Sequence, residues 1–352
     1  MAGAEGIQEG GMSAQALSVA CVTDAWQPQV NGVVRTLETV ARESEALGHR
    51  IHIIHPGQFR TLPCPGYPEI RLAATGWREL GRRLEALRAN RIHIATEGPL
   101  GLAARRWCLR HGRAFTTSLH TRFPEYLHAR CKLPVSWGWK AMRWFHAPAR
   151  GVMVATPSLR REMHERGIAN ACSWMRGVDT KLFRPGAPVP AALEALTRPI
   201  HLYAGRVSVE KNLPAFLELE LPGSKVVVGD GPRLEKYRAR YPEALFTGAR
   251  FGENLAAHYG AANVFVFPSR TDTFGLVMLE ALACGTPVAA FPVPGPQDVL
   301  RDNRAAAMHN DLAAAVARAL RLNRDDCRRY AEQFSWERCA RRFIRNLSPS
   351  PA

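Results

Sequence analysis

An α/β protein of two open, parallel-sheet domains is the fold class this sequence predicts, and three observations carry the prediction. At 352 residues the chain exceeds the size at which one hydrophobic core usually keeps growing. Short β-like apolar runs alternate with helix-like stretches, the pattern of parallel sheets covered by helices. The alternation comes in two sets, separated by the loop composition Phe183-Arg-Pro-Gly-Ala-Pro-Val-Pro190.

In the first set the expected strands are Leu17–Thr23, His49–His55, Arg91–Thr96, Phe115–Leu119 and Gly151–Ala155. In the second they are His201–Ala204, Lys225–Val228, Ala244–Phe246, Asn263–Phe267 and Pro287–Phe291. Val33–Leu47 and Leu276–Ala283 carry apolar residues at helical spacing. The expected organisation is a flexible start at 1–16, a first Rossmann-like domain at 17–185, a linker at 186–199, a second Rossmann-like domain at 200–324 and a last helix at 325–346. The first sixteen residues contain no Arg or Lys and no signal-peptide pattern. Hydrophobic residues make up 46%, and no apolar run is long enough to predict a membrane-spanning helix.

A formal net charge of +16, mostly arginine, suits polyanions, phosphorylated ligands or an anionic membrane surface; a coding bias towards arginine is the plain alternative. Zinc-finger spacing and RNP-like aromatic strands are missing, so no nucleic acid is expected as a partner. The eight cysteines form no CxxC and are expected as reduced thiols of a cytosolic protein. Metal-ligand spacing is likewise absent, so neither a metal nor a cofactor is expected.

Ligands of open α/β domains bind at the carboxyl ends of the strands, and the chemistry-bearing residues cluster at such positions. Asn31-Gly32 precedes the first helix, where exposed N–H groups and the helix's positive end suit a phosphate, although a plain turn has the same sequence. His120 follows the fourth strand, as a ligand contact or as the cap of the next turn. Gly205 permits a sharp turn after which Arg206 and Lys211 can converge on a diphosphate, or pair with Glu210 at the surface. In Ser269-Arg-Thr-Asp-Thr-Phe-Gly-Leu276, Asp272 can hold sugar hydroxyls while the amides of Phe274, Gly275 and Leu276 face a phosphate. Glu280 can hold two hydroxyls of a ribose; the alternative makes Asp272 a helix cap and Glu280 a surface residue.

Two basic, tryptophan-bearing stretches suit either a membrane interface or helices packed on their own domain. One holds Lys132, Trp137, Trp139, Lys140, Arg143, Trp144 and Phe145. The other holds Trp77, Leu80, Leu84 and Leu87 among Arg78, Arg82, Arg83 and Arg88.

Taken in order, VNGVVRTL at 30–37, HTRFPEY at 120–126, GRVSVEKN at 205–212, VVGDGP at 227–232 and SRTDTFGLVMLEALACGTPV at 269–288 resemble the retaining, nucleotide-sugar-dependent glycosyltransferases of family 4. The likeness spans about 17 to 343 and is nearest to bacterial α-mannosyl- and glucosyl-type enzymes, many of which act on lipid acceptors. It implies the GT-B fold, two Rossmann-like domains facing across a cleft, with the first domain on the acceptor side and the second binding the donor. Gly32 and its neighbours would then approach the donor diphosphate, and Arg206 and Lys211 would neutralise it. His120 would contact the transferred sugar, and Glu280 would bind the ribose as the second acid of an E-x7-E element. Asp272 stands where the family usually has Glu. The last segment, including Phe334-Ser-Trp336, would cross back to the first domain.

The function so implied is metal-independent transfer of a hexose, with retention, to a lipid or glycan hydroxyl. The donor leans to GDP-mannose, with UDP-glucose, UDP-galactose and UDP-glucuronate open. The expected location is cytoplasmic, peripheral on the inner membrane face if the tryptophan segment meets lipid. A non-catalytic nucleotide- or membrane-binding protein on the same fold is the alternative.

Overall fold

The computed structural model describes residues 16–29, 31–64, 67–120, 124, 134–301 and 304–347. The stretches 1–15, 121–123 and 125–133 lie outside these, and with them Lys132 and most of the 120–126 motif. The first half runs β1 (Ser18–Val22), α1 (Gly32–Ala46), β2 (Arg50–Ile54), β3 (Thr61–Cys64), β4 (Tyr67–Ala73), α2 (Trp77–Leu87) and β5 (Arg91–Ile94). It continues through α3 (Pro99–Arg110), β6 (Thr116–Leu119), α4 (Val135–His146), β7 (Val152–Val154), α5 (Pro157–Glu165) and β8 (Ala171–Ser173). Its sheet has the order β2-β1-β5-β6-β7-β8, all pairs parallel.

The second half runs α6 (Ala191–Glu194), β9 (Ile200–Ala204), α7 (Pro214–Leu217), β10 (Ser224–Val228), α8 (Leu234–Arg240), β11 (Leu245–Gly248) and α9 (Gly252–Ala261). Then come β12 (Val264–Phe267), α10 (Leu276–Ala283), β13 (Val288–Ala290), α11 (Pro294–Val299), β14 (Ala306–Met308), α12 (Leu312–Ala319), α13 (Arg324–Ala331) and α14 (Trp336–Leu347). Its sheet has the order β11-β10-β9-β12-β13-β14, again all parallel. The two sheets face one another across a cleft.

Parallel strands need cover on both faces, so they are written as near-continuous apolar runs. Every residue of β9 and β12 is buried, and helices close both sides. α1 begins where Asn31 caps it, its Oδ1 accepting the amides of Val33 at 3.0 Å and Val34 at 3.1 Å. Val34, Leu37 and Val40 then fall on one face and are buried.

Two features depart from the sequence expectation. The antiparallel hairpin β3–β4 and the short strands β8 and β14 were not anticipated, because Ala171–Ser173 and Ala306–Met308 have three residues each and no β-branched side chain. The stretch expected as one helix over 325–346 is two, α13 and α14. α13 stays with the second half, burying Cys327, Tyr330 and Ala331, while α14 lies on α1 and buries Cys339, Phe343 and Leu347 beside Val19 and Leu37. Of the two readings open for the stretch of α2, the structure shows a helix packed on its own domain: Leu80 and Leu84 are buried, Arg78, Arg82 and Arg83 are exposed, and the missing side chain of Gly81 admits the Trp107 ring, 2.3 Å from where a Cβ would stand. Among the described residues no helix is long and apolar enough to cross a membrane.

Between α13 and α14 the chain meets the earlier connection from β8. Val178 donates its amide to the Phe334 carbonyl at 3.0 Å, and a Cβ on Gly177 would lie 2.4 Å from the Trp336 nitrogen. Arg328 fastens the same junction, donating to the carbonyls of Phe183, Ala283 and Thr180.

Beneath the first sheet's carboxyl edge sits the buried His93, bonded to Thr116 Oγ1 at 2.9 Å and Ser118 Oγ at 3.2 Å. Burial, helped by the nearby Arg176, lowers its pKa to about 3.

Two stability predictions follow from these contacts. Gly177→Ala should cost about 1–3 kcal/mol, since backbone rather than a flexible side chain must move, read as a lower urea midpoint; an unchanged midpoint would count against the crossing as a rigid junction. For His93 the unfolded chain takes up a proton as pH falls through the ordinary 6.5, whereas the folded one does so only near 3. Its contribution is therefore complete above the ordinary value and lost on acidification. The transition temperature should fall less steeply with acid in His93→Asn than in wild type; identical slopes would refute the assignment.

Candidate active site

In each sheet the strand order reverses once, and loops leave such a point in opposite directions to open a crevice. In the second sheet the reversal lies between β9 and β12. Gly205, after β9, has φ +151° and lies so close to Gly229 that a Cβ there would meet the Gly205 carbonyl at 1.9 Å. The turn that follows carries Arg206, half-buried, with its carbonyl accepting the Tyr203 hydroxyl at 2.9 Å. Lys211 follows, and Asn212, in the left-handed region at φ +55°, donates to the Pro268 carbonyl at 3.1 Å. That bond ties the loop after β9 to the loop after β12.

The two loops bring Lys211 Nζ to 2.6 Å from Asp272 Oδ1, with both side chains mostly buried. Asp272 Oδ2 is buried and has no partner within the protein. A cavity of about 40 Å³ opens beside it, lined by Thr156, Leu159, Arg270, Thr273, Pro294 and Gly295. Lys211 and Asp272, 61 residues apart, thus form one charged pair with an unsatisfied acceptor.

The amino ends of α1 and α10 meet across the cleft. A Cβ on Gly32 would sit 3.7 Å from Leu276 Cδ1. Gly275, at φ +80°, starts α10 and leaves room for the Phe267 ring, while the Phe274 side chain is buried in the core and has only its backbone to offer. Both helices therefore turn their positive ends towards the same space. The Asn31 side chain is committed to capping and to Gln29, to whose Oε1 it donates at 3.2 Å.

One helical turn inside α10, Glu280 is buried. Arg35 Nη1 of α1 lies 2.7 Å from its Oε1, and the Tyr259 hydroxyl donates to its Oε2 at 3.1 Å. A second cavity, of about 140 Å³, opens onto this group.

His120 lies at the end of β6, as the motif suggests, but its ring is turned inward. Nε2 is 2.8 Å from Ser118 Oγ, and Arg176 Nη2 donates to Nδ1 at 3.3 Å. Because a guanidinium only donates, the ring proton sits on Nε2. Burial first, then the charge of Arg176 and the neighbouring His93, hold its pKa well below the ordinary range. Its carbonyl points across the cleft and accepts the Thr273 hydroxyl at 2.9 Å.

The tryptophan segment divides. Trp139, Met142 and Phe145 are core residues, with Arg166 stacked 4.1 Å over Trp139, so Trp139 is removed from any surface role by the inward face of α4. Trp137 and Trp144 are 64% and 57% exposed, and Lys140 and Arg143 are exposed beside them.

Arg35, Arg176, Tyr259 and Thr273 escaped the sequence reading. Arg35 stood in plain view within the VNGVVRTL motif. Nothing local distinguishes Tyr259 or Arg176, whose importance comes only from what folds against them.

With this geometry in place, comparison with known proteins gives a consistent answer. Residues 30–182 match the family described as Glycosyltransferase Family 4, and residues 198–325 match Glycosyl transferases group 1. A GDP-mannose-dependent alpha-mannosyltransferase of Mycobacterium tuberculosis is 29% identical over 81% of this chain and 82% of its own. A GDP-mannose-dependent alpha-(1-6)-phosphatidylinositol dimannoside mannosyltransferase of the same species is 28% identical over 94% of this chain and 96% of its own. Among solved structures, sucrose-phosphate synthase from Thermosynechococcus elongatus superposes with a TM-score of 0.73 at 23% identity, covering 94% of this chain and 98% of that one. Two facing parallel sheets, a crevice at their reversal points and matches over both halves lead to one conclusion: the chain is a GT-B-fold glycosyltransferase related to family 4.

Proposed function

We propose that this enzyme moves a hexose, with retention of configuration, from a nucleotide-sugar donor to a hydroxyl of a lipid or glycan. The observation that carries the proposal is the Lys211–Asp272 pair at the reversal of the second sheet, facing the amino ends of α1 and α10. In this reading Lys211 and Arg206 meet the donor diphosphate as the bond from the anomeric carbon to the diphosphate breaks. Lysine supplies a compact charge and arginine a bidentate fork. The amides of Phe274, Gly275 and Leu276, together with Gly32, add fixed dipoles to the developing charge, which is stabilised without reorganisation. The unpartnered Asp272 Oδ2 is suited to accept a sugar hydroxyl. Glu280 takes the ribose.

The acceptor hydroxyl attacks from the face the diphosphate leaves, and its proton passes to the departing phosphate oxygen. No protein nucleophile is needed for that route. His120 borders the transferred sugar through its carbonyl, already turned to the cleft, and through a ring that burial and the charge of Arg176 keep neutral and that bonds to Ser118 and Arg176 hold in place. Similarity to two GDP-mannose-dependent enzymes favours GDP-mannose as donor. The exposed Trp137 and Trp144 flanked by Lys140 and Arg143 suit an anionic membrane surface, which would place the enzyme on the inner face of the cell membrane.

Purified protein offered GDP-mannose, UDP-glucose, UDP-galactose and UDP-glucuronate, with and without mixed lipid vesicles and EDTA, should transfer sugar from GDP-mannose regardless of EDTA. Transfer from another donor corrects the sugar, and absence of binding to all four removes the reading. Lys211→Ala should lower kcat/KM by at least about 100-fold while the transition temperature holds. Full activity in that variant would displace the diphosphate from this loop. Sedimentation with anionic vesicles should show binding at low salt that weakens as salt rises and drops when Trp137 and Trp144 are both changed to Ala; no association at any salt would rule out the membrane surface.

A further inference from the structure

The hydrogen-bonding capacity of Glu280 is divided in a way that gives Arg35 a role of its own. An ionised carboxylate has about four acceptor positions, two on each oxygen. Arg35 Nη1 occupies one on Oε1 at 2.7 Å, and the Tyr259 hydroxyl occupies one on Oε2 at 3.1 Å. One position on each oxygen is left. A vicinal diol presents two O–H donors side by side, which is the complement of that remainder. The space for it is present: the cavity of about 140 Å³ against Glu280 is walled by Arg35, Val178, Leu276 and Trp336.

Glu280 is only 4% exposed, and a charge so desolvated needs a partner that both offsets it and leaves it accessible. Arg35 meets both needs. Its own side chain is 41% exposed, with the guanidinium carbon 5.9 Å from the Phe183 ring. It also approaches from the opposite half of the molecule: Arg35 belongs to α1 of the first half, whereas Glu280 and Tyr259 belong to α10 and α9 of the second.

We propose that Arg35 is a positioning residue that sets the orientation of Glu280, so that its two free acceptor positions face the two hydroxyls of a ribose. Nucleoside recognition is thereby completed only when the two halves are together, because Tyr259 alone holds the carboxylate by one oxygen. The inference rests on the assignment of Glu280 to the donor ribose, and its test separates the two.

The probes are GDP and UDP, each compared by calorimetry with its dideoxy counterpart lacking both ribose hydroxyls. Wild type should favour the ribose form of the diphosphate it binds by at least about tenfold, and Glu280→Gln should lose most of that preference. Arg35→Met should also bring the ratio to within about threefold of unity, measured well below its transition temperature, which falls because the buried Glu280 loses the partner that offsets its charge. Arg35→Lys, which keeps the charge, should recover part of the preference. If Arg35→Met keeps the wild-type ratio while Glu280→Gln loses it, Arg35 does not position the acid and the inference falls alone. If wild type shows no preference, if Glu280→Gln retains it, or if neither diphosphate binds, the ribose assignment fails and the inference with it.

Discussion

The two passes of chain between the halves are locked backbone to backbone, and the cleft depends on that lock. At Gly177 the connection from β8 runs so close to Ser335 and Trp336 that no side chain fits between them. The Val178 amide meets the Phe334 carbonyl, and Arg328 gathers carbonyls from three separate segments. Val178 and Trp336 then become walls of the cavity against Glu280. What could have been a loose hinge of two strings is a junction whose geometry reaches the ligand space.

From that junction the polar groups of the cleft fall into two neighbourhoods. On one side Lys211 and Asp272 answer one another across loops tied by Asn212 to Pro268, and one acid oxygen is left unmatched. On the other, Arg35 and Tyr259 hold Glu280. Buried polar groups are expensive unless matched, so such incompletely satisfied acceptors at strand ends point to a ligand rather than to packing. Among the described residues, polar contacts join the halves at this edge: Thr273 to His120, Arg35 to Glu280, and the Ser158 amide to Asp298 at 2.8 Å.

The first half contributes a different kind of order. His93, Ser118, His120 and Arg176 form a continuous chain under the sheet's carboxyl edge, buried except at the partly exposed His120, with Trp174 packed edge-on to both histidines. Burial keeps both imidazoles neutral, and the guanidinium decides where the proton of His120 sits. The residue that the motif marks as a sugar contact is thus one end of a rigid polar rod, and its carbonyl is the part that reaches the cleft.

Strand and helix alternation, the proline-rich break and the ordered motifs were legible in the amino-acid sequence, because parallel strands must be apolar throughout and strand-end loops must carry the glycines and charges. By itself the sequence determined two α/β halves, most of the strand positions, and Lys211, Asp272 and Glu280 as residues of one cleft. It did not determine partners. Trp139 and Trp137 look alike in the chain, yet a two-residue offset on α4 puts one in the core and the other in solvent. The pairing of Arg35 with Glu280 spans 245 positions, and that of Arg176 with His120 spans 56, so no local pattern encodes either. Only the tertiary structure decided them, because burial and the choice of partner depend on which surfaces meet.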